Sequence, residues 1–307
     1  MMLLSICIPI YNTDIRPLAN ELNRQIQAFS SEVELLFLDD ASDDFLKEKN
    51  RVVGQFSDYQ ELPENIGRSK IRNAFLPFVK GKYILFIDGD SRIIQPDFIE
   101  KYLLYLRITK AKVLVGASIY SDALPARHQR LRWMYSRNRE SLSYKDRIKN
   151  PNQGFKSNNF IIEKELFKMH SFDENLTTYG HEDTLFGFEL GKAGISIDHL
   201  DNPVLNSNLD ENEVYLNKTK EALSNLWDIS RKLKSSQFNQ EQKLLFAALT
   251  CSNSRWKRRL AQVIRPLLLP VLRYLLIQGY IHLSFFDAYR FLQLERLISH
   301  GSFDKRY

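Results

Sequence analysis

The stretch YILFIDGDSRI, residues 83 to 93, runs as an unbroken apolar segment and stops at two carboxylates, Asp88 and Asp90, with Gly89 between them. A short apolar run of this kind fits a strand buried on both faces, as in the middle of a parallel sheet. Two earlier runs end the same way: LLSICIPIY leads to Tyr11 and Asn12, and EVELLFLDD closes on Asp39 and Asp40. Helical patterns lie between the runs, ELNRQIQAFS and GRSKIRNAFLPFV, and QPDFIEKYLLYLRI and the strand-like KVLVGASIY follow. This alternation predicts βαβ units and an α/β fold with a mainly parallel sheet flanked by helices. Such sheets bind ligands at the carboxyl ends of their strands, so the polar residues gathered at three strand ends define one expected site.

With 307 residues, 44% hydrophobic and 26% charged, the chain can bury a full core in one or two domains. Its two cysteines, Cys7 and Cys251, are far apart, and the opening MMLLSICIPIYN meets Pro9, Tyr11 and Asn12 before a signal-peptide core could run its length. A reducing, cytoplasmic setting is therefore expected, and the glycosylation triplets at Asn175 and Asn217 carry no weight there. Residues 251 to 307 hold ten Lys/Arg against three Asp/Glu, so the net charge of +6 is a property of the C-terminal end. The best uncharged apolar run, YLLIQGYIHLSFF from Tyr274 to Phe286, falls short of the roughly 18 to 20 residues of a membrane span. No transmembrane helix is expected. There is no tandem repeat and no low-complexity tract.

Residues 125 to 150 interrupt the rhythm with eight Lys/Arg against two Asp/Glu and the aromatics Trp133, Tyr135 and Tyr144. This excursion suits a clamp on a lipid diphosphate or a stacking surface for a sugar ring, and equally a solvated basic loop. Two further segments follow, FKSNNFIIEKELF and SFDENLTTYGHEDTLFGFELGKAGISIDHLDNPVLN, and from about residue 210 the pattern is helical throughout.

Five segments, SICIPIYN, LLFLDDAS, ENIGRSKIRNAF, YILFIDGDS and SFDENLTTYGHEDTLFGFELGKAG, resemble in order and separation those of the family 2 glycosyltransferases of GT-A fold. The similarity covers about residues 1 to 206. It implies a GT-A catalytic domain over 1–210, with a Rossmann-like nucleotide-binding half to about 105 and an acceptor half from 106 to 210. A helical extension would occupy 211–307. It also implies a nucleotide-sugar donor, a divalent metal (Mn²⁺ or Mg²⁺), and inverting transfer of a hexosyl or N-acetylhexosaminyl group to a saccharide or lipid-linked hydroxyl.

By that resemblance Asp90 coordinates the metal, Asp88 contacts ribose or metal, and Gly89 permits close backbone approach. Taken alone, Asp-Gly-Asp is also an ordinary turn after a strand. Asp39 matches the position that binds the uracil N3, pointing to a UDP-sugar, and Pro9, Tyr11 and Asn12 match the loop against base and ribose. Asp39, Asp40 and Ser42 also read as a helix N-cap cluster. Gly67 and Arg72 match a signature supporting the nucleotide, although an Arg on a helix is often a solvated ion-pair partner. Asp183 matches the base that takes the acceptor proton and Glu182 its neighbour, which binds acceptor or orients the base. Acidic residues opening a helix are also ordinary dipole complements.

His199 is the candidate third metal ligand, with Asn206 standing where a His is expected; a buried, hydrogen-bonded strand histidine is its other reading. His181 is close to the motif, whereas His128, His170, His282 and His300 show no zinc spacing. Ser157 to Phe160 sits where relatives bind sugar or acceptor.

Three alternatives compete with a transferase. The first is a catalytically inactive nucleotide-sugar-binding protein of the same fold. The second is a haloacid-dehalogenase-like phosphotransferase, opposed by Arg92 and by the long stretch before Asp88. The third is nucleic-acid binding, for which no recognised module is present. The segment 255–276, basic and leucine-rich with Pro266 and Pro270 expected to break or kink a helix, suits an anionic membrane surface on the cytoplasmic face or a homo-oligomer contact.

Overall fold

A computed structural model of the chain describes residues 2–301. In order the elements are β1 (Leu4–Ile10), α1 (Arg16–Ile26), β2 (Val33–Asp39), α2 (Asp44–Asn50), β3 (Asp58–Glu61), α3 (Arg68–Ala74), β4 (Tyr83–Ile87), β5 (Ser91–Arg92) and α4 (Phe98–Ile108). Then come β6 (Val113–Val115), β7 (Ser118–Tyr120), α5 (Arg130–Tyr135), α6 (Tyr144–Arg147), β8 (Asn159–Glu163), α7 (Lys164–Met169), α8 (Glu182–Lys192), β9 (Asp198–His199) and β10 (Val204–Asn206). Helices alone follow: α9 (Asn212–Leu233), α10 (Ser236–Glu241), α11 (Lys243–Asn253), α12 (Arg255–Ile277) and α13 (Leu283–Gly301). They divide into two compact units. The first takes the chain up to Ser121, Ser141–Thr177 and Glu182–Asn208; the second takes Asp122–Glu140, Thr178–His181 and the chain from Leu209 onward.

The first unit is built on a seven-stranded sheet in the order β3-β2-β1-β4-β8-β6-β9. All pairs are parallel except those of β8, which runs antiparallel to both β4 and β6. Apolar residues of the central strands alternate between two cores. Ile6, Leu35 and Leu85 face a layer formed with Leu18 and Leu22 of α1 and Phe98 and Tyr102 of α4. Cys7, Leu36 and Phe86 face Ile71 of α3, Phe167 of α7 and Phe186 of α8. Burial on both faces is why these strands read as continuous apolar runs. The second core is rich in aromatic contacts, among them Phe86 stacked on Phe160 at 5.2 Å and Phe172 on Phe186 at 4.4 Å. A small sheet, β5-β10-β7, lies in the same unit, with Asn206 of β10 opposite Ser91 of β5.

The second unit gathers Leu131 of α5, Tyr215 and Leu216 of α9, Leu272 and Leu276 of α12, and Phe286 and Tyr289 of α13. Within it the Asn225 side chain of α9 donates to the carbonyls of Thr178, Tyr179 and Gly180, fixing the loop that leads into α8. Gly180, at φ +97°, would place a Cβ 2.7 Å from that of Ala222, so no larger residue fits there. One sequence expectation changes: α12 runs without interruption through Pro266 and Pro270. At 23 residues it is long and apolar enough to cross a membrane by length and composition. Arg265 and Arg273 divide its apolar stretch, so no single uncharged run reaches that length.

Candidate active site

The carboxyl ends of β1, β2 and β4 converge as their polar residues foretell, and hydrogen bonds lock their loops together. Asn12, at φ +48°, donates its N–H to Ser42 Oγ at 2.8 Å and accepts from the Asp43 N–H at 2.8 Å. Asp39 is fully buried; Oδ1 accepts from the Ser42 N–H at 2.7 Å and Oδ2 from the Tyr59 hydroxyl at 3.3 Å. Burial, reinforced by the charge of Asp39, pushes the Tyr59 phenol up. The Asp40 carboxylate accepts from the N–H groups of Ile66 and Gly67 at 2.7 and 3.0 Å, tying β2 to the turn that starts α3. Burial raises its pKa even so. Gly67 has φ +85°, a conformation that favours glycine.

Tyr11, 54% exposed, presents an open ring at this rim, while Pro9 sits within β1 opposite Leu38. A Cβ on Gly89 would lie 3.0 Å from the Pro9 carbonyl oxygen, so the close approach its lack of a side chain permits is to β1.

Asp88 is held by two guanidiniums. Arg72, only 2% exposed, donates Nη2 to Asp88 Oδ1 at 2.5 Å and Nη1 to the carbonyl of Arg68 at 2.8 Å. It is a buried ion-pair partner, not a solvated one. Arg68 lies 3.5 Å from Asp88 Oδ2 and donates Nε to Glu182 Oε1 at 3.0 Å, across 114 positions of sequence. Next in α8, Asp183 accepts from Lys156 Nζ at 2.9 Å on Oδ2 and from the Thr184 N–H at 2.7 Å on Oδ1. Arg68 and Lys156 are site residues that the sequence reading passed over. Arg68 stood inside the motif ENIGRSKIRNAF, four residues before Arg72, which was the only signal available.

Beside this network the Asp88 N–H donates to the Asn158 carbonyl at 3.2 Å, and Asn158 Oδ1 is buried without a hydrogen-bond partner. Asn159 has a structural role: its Oδ1 accepts from Tyr102 and its Nδ2 serves the carbonyls of Ala117 and Asn202. His199 must be corrected as a metal ligand. It is 5% exposed, Nδ1 faces Arg147 Nη1 at 3.0 Å and Nε2 faces the Pro151 carbonyl at 3.0 Å, so both ring nitrogens are engaged. Burial, chiefly, holds its pKa below the ordinary 6.5. Asn206 instead stands next to the Asp-Gly-Asp turn, opposite Ser91, and its Oδ1 is buried without a partner.

No cluster of three or more His, Cys, Asp or Glu among the described residues could hold a metal unaided. That donor set still fits Mg²⁺ or Mn²⁺, which is commonly bound by one or two carboxylates with substrate phosphates and water completing the shell. Asp88 and Asp90, which follow β4, are two carboxylates close together in the chain.

The sequence matches the model of the family described as glycosyl transferase family 2 over residues 5–170. The chain belongs to that family. No curated protein sequence matches it significantly. Among solved structures, residues 1–349 of Staphylococcus aureus TarS match with a TM-score of 0.53 at 16% identity, covering 100% of this chain and 93% of that one. Against the longer TarS chain, at TM-score 0.50 and 20% identity, the match covers 73% of this chain and only 40% of the other. Glucosyl-3-phosphoglycerate synthase from Mycobacterium tuberculosis gives 0.52 at 17% identity, covering 73% and 78%. The mannosyltransferase PcManGT from Pyrobaculum calidifontis gives 0.55 at 11%, covering 99% and 88%. At these identities the likeness establishes the fold, a mostly parallel sheet flanked by helices with further helices at the C-terminal end.

Proposed function

We propose that this family 2 member transfers a hexosyl or N-acetylhexosaminyl group from a nucleotide-sugar, a UDP-sugar by its Asp39 and Tyr11 loops, to a saccharide or lipid-linked hydroxyl with inversion. The observation that carries the reading is the Arg72–Asp88–Arg68–Glu182 network, which joins the donor-side motif at the end of β4 to the helix that opens with Glu182 and Asp183. Solved relatives of this fold include TarS with UDP-GlcNAc, glucosyl-3-phosphoglycerate synthase with Mn²⁺ and UDP, and PcManGT with GDP-Man and Mn²⁺. They support a nucleotide-sugar and a divalent cation here.

Tyr11 offers its ring to the base, and the interlocked Asn12, Asp39 and Ser42 hold that rim in shape before a ligand arrives. Asp90 and Asp88 would hold the cation, with Asn206 Oδ1 as a further oxygen ligand in place of His199. The bound cation would act as a Lewis acid on the departing diphosphate. Arg72 fixes Asp88 from beneath, while Arg68 keeps Glu182 oriented beside Asp183. Asp183 takes the acceptor proton, its carboxylate positioned at the start of α8 by Lys156 on Oδ2 and by the Thr184 N–H and hydroxyl on Oδ1.

A screen of UDP- and GDP-sugars with Mn²⁺, read by release of nucleoside diphosphate, tests the proposal. Asp183→Asn should cut transfer by roughly 10² to 10⁴ fold while leaving UDP binding unchanged. Stabilisation by a nucleotide-sugar without turnover under any acceptor would identify an inactive binder, and near wild-type transfer by Asp183→Asn would remove Asp183 from the reaction.

A further inference from the structure

Helix α12 is apolar on the wrong side for a soluble protein. Trp256, Leu260, Val263, Leu267, Val271 and Tyr274 recur at steps of four and three residues and so share one face. That face is outward: Trp256 is 66% exposed, Val263 67%, Leu267 69% and Tyr274 62%. Two cations of the same helix pair with other helices of its unit. Arg265 reaches the buried Glu295 of α13 at 2.8 Å, and Arg273 pairs with Glu213 of α9. The buried contacts of α12 come from Ala261, Leu272 and Leu276. From Trp256 to Tyr274 the stripe is about 27 Å long at the usual helical rise, with an aromatic residue at each end.

Charge names the occupant. Between Glu241 and Asp287 there is no carboxylate, while Arg255, Lys257, Arg258 and Arg259 cluster at the first turn of the stripe. A groove of about 380 Å³ between α12 and α13, lined by Gln262, Arg265 and Arg296 among others, adds the exposed guanidinium of Arg296 beside it. A second copy of this chain would bring the same cations to the contact, with no carboxylate in that stretch to receive them. Anionic lipid headgroups supply the missing charge, and acyl chains take the leucines.

We infer that α12 is a membrane-docking helix that lies in the surface of an anionic bilayer, its Trp256–Tyr274 face in the acyl boundary and its N-terminal cations on the headgroups. It lies flat because Pro266 and Pro270 have no N–H, which leaves the carbonyls of Gln262 and Pro266 without helical donors on the exposed side. Those carbonyls need water, which the interface provides and the hydrocarbon centre does not. The pairs Arg265–Glu295 and Arg273–Glu213 keep the opposite face on its own unit.

Cosedimentation of the full chain with vesicles of phosphatidylcholine, with and without phosphatidylglycerol, decides the matter. The wild type should pellet with the anionic vesicles at low salt and be released as ionic strength rises. Leu267→Glu/Val271→Glu and Arg258→Glu/Arg259→Glu should each weaken binding at least about tenfold, with unchanged far-UV circular dichroism and unchanged nucleotide-sugar turnover in solution. A wild type that stays in the supernatant with anionic vesicles at low salt overturns the inference. So does a lipid-free dimer that Leu267→Glu/Val271→Glu makes monomeric, which would assign the stripe to self-association. Retention on vesicles after alkaline carbonate extraction overturns the in-plane geometry.

Discussion

Replacing Arg72 by Met keeps most of the side chain's volume and removes only the guanidinium that holds Asp88. The pair is close, 2.5 Å, with Arg72 2% and Asp88 20% exposed. Two unit charges about 4 Å apart in an effective dielectric near 20 attract by about 4 kcal/mol. Screening at the partly open Asp88, and Arg68 as a remaining cation 3.5 Å away, reduce what is lost. We expect Arg72→Met to destabilise the first unit by about 3 kcal/mol, and the cycle with Asp88→Asn and the double variant to return a coupling of about 2 kcal/mol. Urea unfolding measures it, provided the probe reports on the right unit. All three tryptophans, Trp133, Trp227 and Trp256, belong to the second unit, so their fluorescence serves as an internal control. The sheet unit is followed by hydrogen exchange of the β1, β2 and β4 amides across the same urea series. A coupling under about 0.5 kcal/mol, the usual error of additivity, would show that Arg72 does not hold Asp88.

Arg68→Gln should lower kcat/KM by about tenfold to a hundredfold, or roughly 1.4 to 2.7 kcal/mol, because it releases Glu182 from Asp88 without emptying the core. An unchanged rate would reduce the Arg68 bridge to a structural contact. His199 gives a pH signature. Since burial holds its folded pKa below the unfolded 6.5, the folded state binds fewer protons, and stability present above that pH is lost as pH falls toward the folded value. The wild type should lose stability below about pH 6.5, at a slope of at most about 1.4 kcal/mol per pH unit, relative to His199→Gln. Parallel curves for the two proteins would contradict that reading.

Much of the architecture was legible because the apolar strands and amphipathic helices alternate with different periods, and the residues that interrupt them are polar at one end only. The direction of β8 was not. A strand buried on both faces carries no mark of polarity, so FIIE reads the same whether it runs parallel or antiparallel to β4. Carboxylates at strand ends could be seen as a site, yet the partners that orient them could not. Arg68 meets Glu182 across 114 positions, and nothing local distinguishes it from a surface arginine. His199 shows the reverse limit: spacing after the Glu-Asp helix suggested a ligand, whereas Arg147 and Pro151, which occupy its nitrogens, come from a distant part of the sequence. The outward stripe of α12 was hidden by composition, because leucines mixed with arginines do not say which of the two faces inward.

The position of β8 also sets a condition on how the protein can be made. Until Asn159–Glu163 leaves the ribosome, β4 is the open edge of a four-stranded parallel sheet, and all five of its residues are ones that end up buried. From Ile87 to Asn159 the ribosome must add some seventy residues, roughly 4 to 14 s at ordinary elongation rates. For that time an uncharged strand is available to pair with any other chain. The antiparallel insertion of β8 therefore leaves the nascent first half with an open, apolar edge until the chain is long enough to close its own sheet.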